Sequence, residues 1–298
     1  MNSPPIGRLF PAGGPADLEA MIGRAAEVAD YVAFVDGGAH VLVAGDRRIG
    51  KTTVCRAACA ALRERGFLVL SVEVPERSTS IDLSQMIVDC CLAVGAERGL
   101  RLFGLARPLV ENLLRDQGLP LDLSALQAEA AARTRREALG LPLSLTADGQ
   151  RVLLFFDELQ RIADYDDGTE LVHDLVDLYA GQDRAMVLAD GSEQRTLDAL
   201  LGSTVGLGKL VVRRDLSPRI ARGEWEAQLP ARFATAGHPI EQHALTRLLD
   251  YGAERAYPTM AAARHAAFTA HAVGGHTDMF CVQDGIAAAE KQLADDGL

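Results

Sequence analysis

At 298 residues, with 48% hydrophobic and 24% charged side chains, the chain has ample apolar material for a core and lacks the composition of a disordered segment. A net charge of −11 repels polyanions, so nucleic acid is not supported as a partner unless a local basic patch overrides the field. The start lacks a basic, apolar leader and no apolar run is long enough to span a bilayer, which predicts a cytoplasmic protein.

The length fits one large or two linked domains. Five cysteines (Cys55, Cys59, Cys90, Cys91, Cys281) lack paired spacing, and the histidines are scattered, so no structural metal is expected. Residues 1–14 read as an irregular lead-in. From Asp17 to about Val35 the apolar positions Leu18, Met21, Ile22, Ala25, Val28 and Val32 recur at helical spacing, and Asp36-Gly-Gly38 stops that helix.

An apolar strand pattern, Ala39 to Ala44, then runs into Gly45-Asp-Arg-Arg-Ile-Gly-Lys-Thr52, the spacing G-x-x-x-x-G-K-[ST]. Small residues let the backbone curl so that N–H groups point inward at an anion, and the helix opening at Lys51 adds its positive end. In this reading Gly45, Asp46, Arg47, Arg48, Ile49, Gly50, Lys51, Thr52 and Thr53 form a nucleotide-binding stretch. Lys51 reaches the β- and γ-phosphates, and the Thr52 hydroxyl joins a magnesium ion. The alternative is a chance Gly-Lys-Thr in a strand-to-helix turn, but the flanking strand and helix patterns stand where the mechanism needs them.

A helix over Val54 to Arg65 leads to a second strand, Phe67 to Val74. From Pro75 to Gln150 the pattern is less regular: helices over Ile81 to Ala96, Leu105 to Arg115 and Ala125 to Leu139, with Gly-Leu-Pro turns at 118–120 and 140–142, should cover one face or edge of a sheet. Within them Arg133-Thr-Arg-Arg136 reads as a solvated helix face rather than a nucleic-acid site.

Arg151-Val-Leu-Leu-Phe-Phe-Asp-Glu-Leu-Gln160 is a buried parallel-type strand ending in two carboxylates. Ligands in such sheets bind beyond the carboxyl ends of strands, which gives Asp157 the magnesium role and makes Glu158 the base that positions and activates water. A plain acidic turn is the competing reading. The strand Ala185 to Ala189 closes in Asp190-Gly-Ser-Glu193. Ser192 or Asp190 could hydrogen-bond the γ-phosphate or the attacking water; equally, Ser192 could cap a helix over Glu193 to Leu201. A final strand, Lys209 to Arg214, leads to Leu216-Ser-Pro218. Beyond it Ile220–Thr235, Ile240–Tyr251, Thr259–His271 and Asp278–Leu293 read as four helices, broken at Gly237-His-Pro, Ala256-Tyr-Pro and Gly274-Gly-His.

The expected fold is α/β: a P-loop NTPase with a parallel five-stranded sheet flanked by helices, followed by a small all-helical lid domain. Residues 1–217 form the nucleotide-binding domain and 218–298 the lid. The wording resembles AAA-type ATPases of the archaeal-ATPase branch, close to the signal-transduction (STAND) NTPases. The resemblance rests on Ile22-Gly-Arg-Ala-Ala-Glu27, the phosphate loop, Phe156-Asp-Glu-Leu-Gln160, Asp190-Gly-Ser-Glu193 and Leu216-Ser-Pro218. It implies that the Ala185 strand lies between the phosphate-loop strand and the Asp157 strand, with Ser192 or Asp190 as a sensor. It also implies that Gly23-Arg24 lies near the adenine, that ATP rather than GTP is bound, and that ATP closes the lid. The usual Gly-x-Pro lid turn is replaced by Ala256-Tyr257-Pro258, and no arginine finger can be assigned among Arg184, Arg195, Arg213 and Arg214. The implied function is a magnesium-dependent ATPase switch, slow in isolation and acting on a separately encoded protein partner. A nucleotide-dependent scaffold with negligible turnover and a small-molecule kinase are the alternatives.

Overall fold

The computed structural model describes residues 4–12, 14, 16, 18–97, 124–146, 149–202, 204 and 206–297. They fall into two compact units, one of residues 28–44 and 57–215, the other of residues 1–27, 45–56 and 216–298.

The first unit holds the sheet. Its strands are β1 (His40–Ala44), β2 (Leu68–Glu73), β3 (Val152–Asp157), β4 (Ala185–Gly191) and β5 (Val211–Asp215). All pair in parallel in the order β2-β3-β4-β1-β5, so β4 does lie between the phosphate-loop strand and the strand of the paired carboxylates. Every residue of β1, β3 and β4 is buried, as a parallel sheet covered on both faces demands. Of the edge strands, β2 exposes part of one face, at Ser71 and Glu73, and β5 is exposed at Val212 and Asp215.

Parity sorts the strand residues between the two faces. Leu42, Leu70, Leu154, Phe156 and Val187 point one way, into a core shared with α4 (Ser80–Glu97), α5 (Ser124–Ser144) and α6 (Gly168–Tyr179) through Leu83, Ile87, Leu139, Leu171 and Tyr179. These helices cover one face, as expected for the section after β2. The helix expected over Leu105–Arg115 and the turn at 118–120 lie outside the described residues. The turn expected at 140–142 does not form; α5 runs through Pro142 to Ser144. Burying Leu139, Leu141 and Leu145 outweighs the one helical bond that Pro142 cannot donate. The stretch at 133–136 is not simply a solvated face either. Arg135 is buried and paired with Asp167 and Asp174, and Arg136 pairs with Asp174.

In the second unit, α8 (Arg222–Thr235), α9 (Gln242–Gly252), α10 (Ala256–Val273) and α11 (Met279–Asp295) form a bundle around Trp225, Leu229, Phe233, Leu248 and Val282. The break between α9 and α10 falls at Ala253 and Glu254, both left-handed, and Ala256-Tyr-Pro258 instead forms the first turn of α10. Proline is tolerated there because first-turn N–H groups have no helical acceptor. The residues before the phosphate loop also depart from expectation. Residues 6–9 form a short helix, α1 (Ile6–Leu9), and Phe10 is fully buried against Phe233, with ring centroids 4.7 Å apart. The single helix expected from Asp17 is interrupted: a 3₁₀ turn at Leu18–Ala20 precedes left-handed Gly23 and Arg24, and α2 spans Ala25–Asp36. Among the described residues no helix is long and apolar enough to cross a membrane.

The alanine-rich stretch of α10 lets α11 approach closely. A Cβ on Gly285 would sit 2.6 Å from the Ala262 carbonyl oxygen and 2.7 Å from the Ala266 nitrogen. Gly285→Ala should therefore lower stability by about 1–3 kcal/mol in urea denaturation, the usual cost of overpacking. Gly223→Ala, at a helical position with open space around it, should be neutral or stabilising by about 0.5 kcal/mol.

Candidate functional site

β1 delivers the chain to Gly45 at φ +156°, a conformation that essentially only glycine adopts. A Cβ there would lie 2.4 Å from Ile49 Cδ1, so the loop closes on its own apolar residue. Arg48 is left-handed at φ +65° and Gly50 lies at φ +98°; between them they complete the curl before α3 (Lys51–Glu64) begins. The Lys51 ammonium is buried and donates to the Asp46 carbonyl at 2.8 Å, folding over its own loop. Thr53 is turned elsewhere: its hydroxyl accepts the Ala16 N–H at 3.1 Å.

Arg24 braces this loop. Held left-handed at φ +68° and almost fully buried, it donates from Nη2 to the carbonyls of Ile49 and Ser217 at 3.4 and 2.6 Å, and from Nη1 to Glu27 at 2.8 Å. Its Nε is buried without a hydrogen-bond partner among the described residues. Gly23 must be glycine, since a Cβ would come within 2.8 Å of Ile220 Cγ2.

The second group of residues stands at the carboxyl edge of the sheet. Phe156 pairs with Ala189 and Ala44 with Gly191, so the ends of β3 and β4 and the strand that feeds the phosphate loop lie at one edge. Asp157 closes β3, buried. Glu158 is left-handed (φ 60°, ψ 48°), with its N–H donating to Asp190 Oδ1 at 2.9 Å. Its carboxylate is clamped: Oε2 accepts the Ser192 hydroxyl at 3.1 Å and the Gln160 amide at 2.5 Å. Gln160 donates to Ser192 Oγ as well and accepts the Ser192 N–H, both at 3.2 Å. The clamp needs Gly191, where a Cβ would meet Gln160 Oε1 at 2.8 Å.

Ser192 is thus not the cap of α7 (Gln194–Leu201); Glu193 occupies that position without a side-chain capping bond, and the Ser192 hydroxyl is engaged by Gln160 and Glu158. Asp190 is a brace for the Glu158 backbone, and Gln160, read from sequence only as part of a motif, is the hub of the cluster. Its bond to Glu158 is local, but nothing in the spacing signals the link to Ser192, 32 residues away. Of the arginines considered as fingers, Arg213 is paired with Asp198 and Asp215, and Arg214 with Asp30 over the Phe34 ring. Arg184 precedes β4 and so stands at the opposite edge of the sheet, and Arg195 is exposed on α7.

A family model described as AAA ATPase domain matches residues 20–188, more than half of the chain. The chain belongs to the AAA ATPase domain family. The fold of this AAA ATPase is similar to that of the Walker-type ATPase PABY2304 of Pyrococcus abyssi, at 16% identity and TM-score 0.62, covering 97% of this chain and 76% of that one. It is also similar to the Aeropyrum pernix ORC2 protein in its ADPNP-ADP complexes, at 16% identity and TM-score 0.62 over 91% and 70% of the two chains. The Aeropyrum pernix ORC1 protein, solved in complex with DNA, aligns at 16% identity and TM-score 0.59 over 95% and 68%. No curated protein matches the chain. As an AAA ATPase it binds ATP and hydrolyses it.

The clamp on Glu158 carries a kinetic consequence. Ser192→Ala removes one bond to a charged acceptor, worth about 1.5 kcal/mol, so kcat for ATP should fall about tenfold. With Glu158 as the base the sequence predicts, KM should stay within about twofold, since the interaction would act on the attacking water and not on substrate binding. Steady-state phosphate release measures both.

Proposed function

We propose that this AAA ATPase is a magnesium-dependent molecular switch of the STAND kind, acting on a protein partner. The observation that carries the reading is the clamped Glu158, held at a strand end by Asp190, Ser192 and Gln160. Among the described residues both side-chain bonds fall on Oε2, which leaves Oε1 to take the proton of the attacking water.

The loop fits a polyphosphate. Its backbone curls at Gly45, Arg48 and Gly50, and Lys51, now donating to its own loop carbonyl, would exchange that bond for the β- and γ-phosphates. Residues 45–53 form the nucleotide-binding stretch, and Gly23-Arg24 would face the base. The Thr52 hydroxyl and the Asp157 carboxylate are the hard oxygen donors that magnesium prefers. When bound, that ion supplies neutralisation of the phosphate charge. Residues 1–217 act as the nucleotide-binding domain and 218–298 as the lid, in a cytoplasmic protein.

Turnover should be slow in isolation, because Arg213 and Arg214 are already engaged with carboxylates and such an arginine is worth roughly 10³–10⁵ in rate. The DNA seen with ORC1 is not carried over, since a net charge of −11 opposes it. A second reading, a nucleotide-dependent scaffold with negligible turnover, is favoured by the engagement of Arg213 and Arg214 with carboxylates, which leaves the arginine finger unassigned.

Phosphate release from ATP and Mg²⁺ separates the two. For the switch, Lys51→Ala abolishes both binding and turnover. Glu158→Gln keeps ATP binding while turnover drops about 10²–10⁴-fold, the range for losing a general base. Turnover in Glu158→Gln equal to wild type would refute the assigned base, and wild type that binds ATP without releasing phosphate would favour the scaffold.

A further inference from the structure

The phosphate loop is tied to the far end of the chain. The Arg48 guanidinium lies 4.6 Å from the centroid of the Tyr257 ring, in the first turn of α10, and forms an ion pair with Asp296, which follows the last turn of α11. The Tyr257 hydroxyl donates to the same Asp296 oxygen at 2.5 Å and accepts from Gln292 at 2.7 Å. Gln292 in turn accepts from Arg264 at 3.0 Å and lies 3.2 Å from His265 Nε2. A guanidinium stacked on an aromatic face with a carboxylate at its edge is fixed in direction as well as charge. The Arg48 pairing lowers the Asp296 carboxyl below the usual range, with the Tyr257 hydroxyl adding to the effect.

Arg48 is also the one non-glycine residue of residues 45–50 with a positive φ, +65°. Such a conformation is unfavourable for an arginine and persists where the surroundings hold it. We infer that Asp296 and Tyr257 are positioning residues for nucleotide binding: by holding the Arg48 side chain on α10 and α11 they keep the loop in its anion-receiving curl, and they couple ATP affinity to the last turn of α11. By linkage, whatever grips that turn alters ATP affinity, and ATP steadies that turn in return. The inference rests on residues 45–53 being the nucleotide-binding stretch.

The test is the ATP dissociation constant and kcat of the full chain for wild type, Asp296→Asn, Tyr257→Phe, Arg48→Ala and the Arg48→Ala/Asp296→Asn double variant. We expect Asp296→Asn to weaken ATP binding about threefold to tenfold, with kcat at saturating ATP within about twofold of wild type, and Asp296→Glu to recover part of the loss. The double variant should bind no more weakly than Arg48→Ala alone, the signature of two residues acting as one unit. Should Asp296→Asn not fold, Tyr257→Phe, which keeps the stacked ring and loses only the hydroxyl, carries the same expectation at smaller amplitude. Unchanged or tighter ATP binding in both variants, or additive losses in the double variant, would overturn the inference. Lys51→Ala keeps the two failures apart: ATP binding that survives it sinks the nucleotide-binding reading, whereas binding lost there but unmoved in Asp296→Asn sinks only the coupling.

Discussion

The parallel pairing of β3, β4 and β1 is the constraint on which the chemistry depends. Each of these strands is buried along its whole length, so none can carry a charged group mid-strand without an unpaid desolvation cost. Polar residues are displaced to the strand ends, and parallel register brings those ends to one edge. Asp157, Glu158, Asp190 and Ser192 are neighbours because Phe156 faces Ala189, not because any local motif gathers them.

Among the described residues, three of the six non-glycine residues with positive φ belong to the candidate site. Arg24, Arg48 and Glu158 are all left-handed without being glycine, and each is held by side-chain or backbone partners far away in sequence. Arg24 reaches Ser217 across 193 positions, and Arg48 reaches Asp296 across 248. The structure thus supplies, through long-range bonds, the conformations that local preference disfavours. Removing such a partner should relax a backbone and not merely delete a contact.

That pattern also explains what could be read from the sequence. The strands and the phosphate loop were legible because apolar periodicity and glycine placement are local signals; so were Asp157 and Glu158, which sit directly after an apolar run. The strand order came from family resemblance and agrees with the observed sheet. Three features were not legible. Phe10 is buried by a helix more than two hundred residues later, which no window across residues 1–14 can anticipate. Gln160 and Asp190 take their roles from the β3–β4 pairing. Ser192 looked equally suited to capping a helix; a capping serine accepts a backbone N–H, and here its oxygen accepts the Gln160 amide instead while its hydroxyl donates to Glu158.

The surface ion pairs tell where free energy of switching can reside. Arg213, Arg214 and Arg222 pair with exposed carboxylates, and such pairs contribute little and are readily exchanged with water. Arg24, Lys51, Gln160 and Ser192 are buried, and a buried polar group that loses its partner costs about 1–3 kcal/mol, more if charged. A conformational equilibrium that a nucleotide can reverse needs differential contacts of that size. In the proposed switch the fully exposed pairs are too weak to set such an equilibrium, so the bias between states would fall on the buried and partly buried groups and on what replaces their present partners.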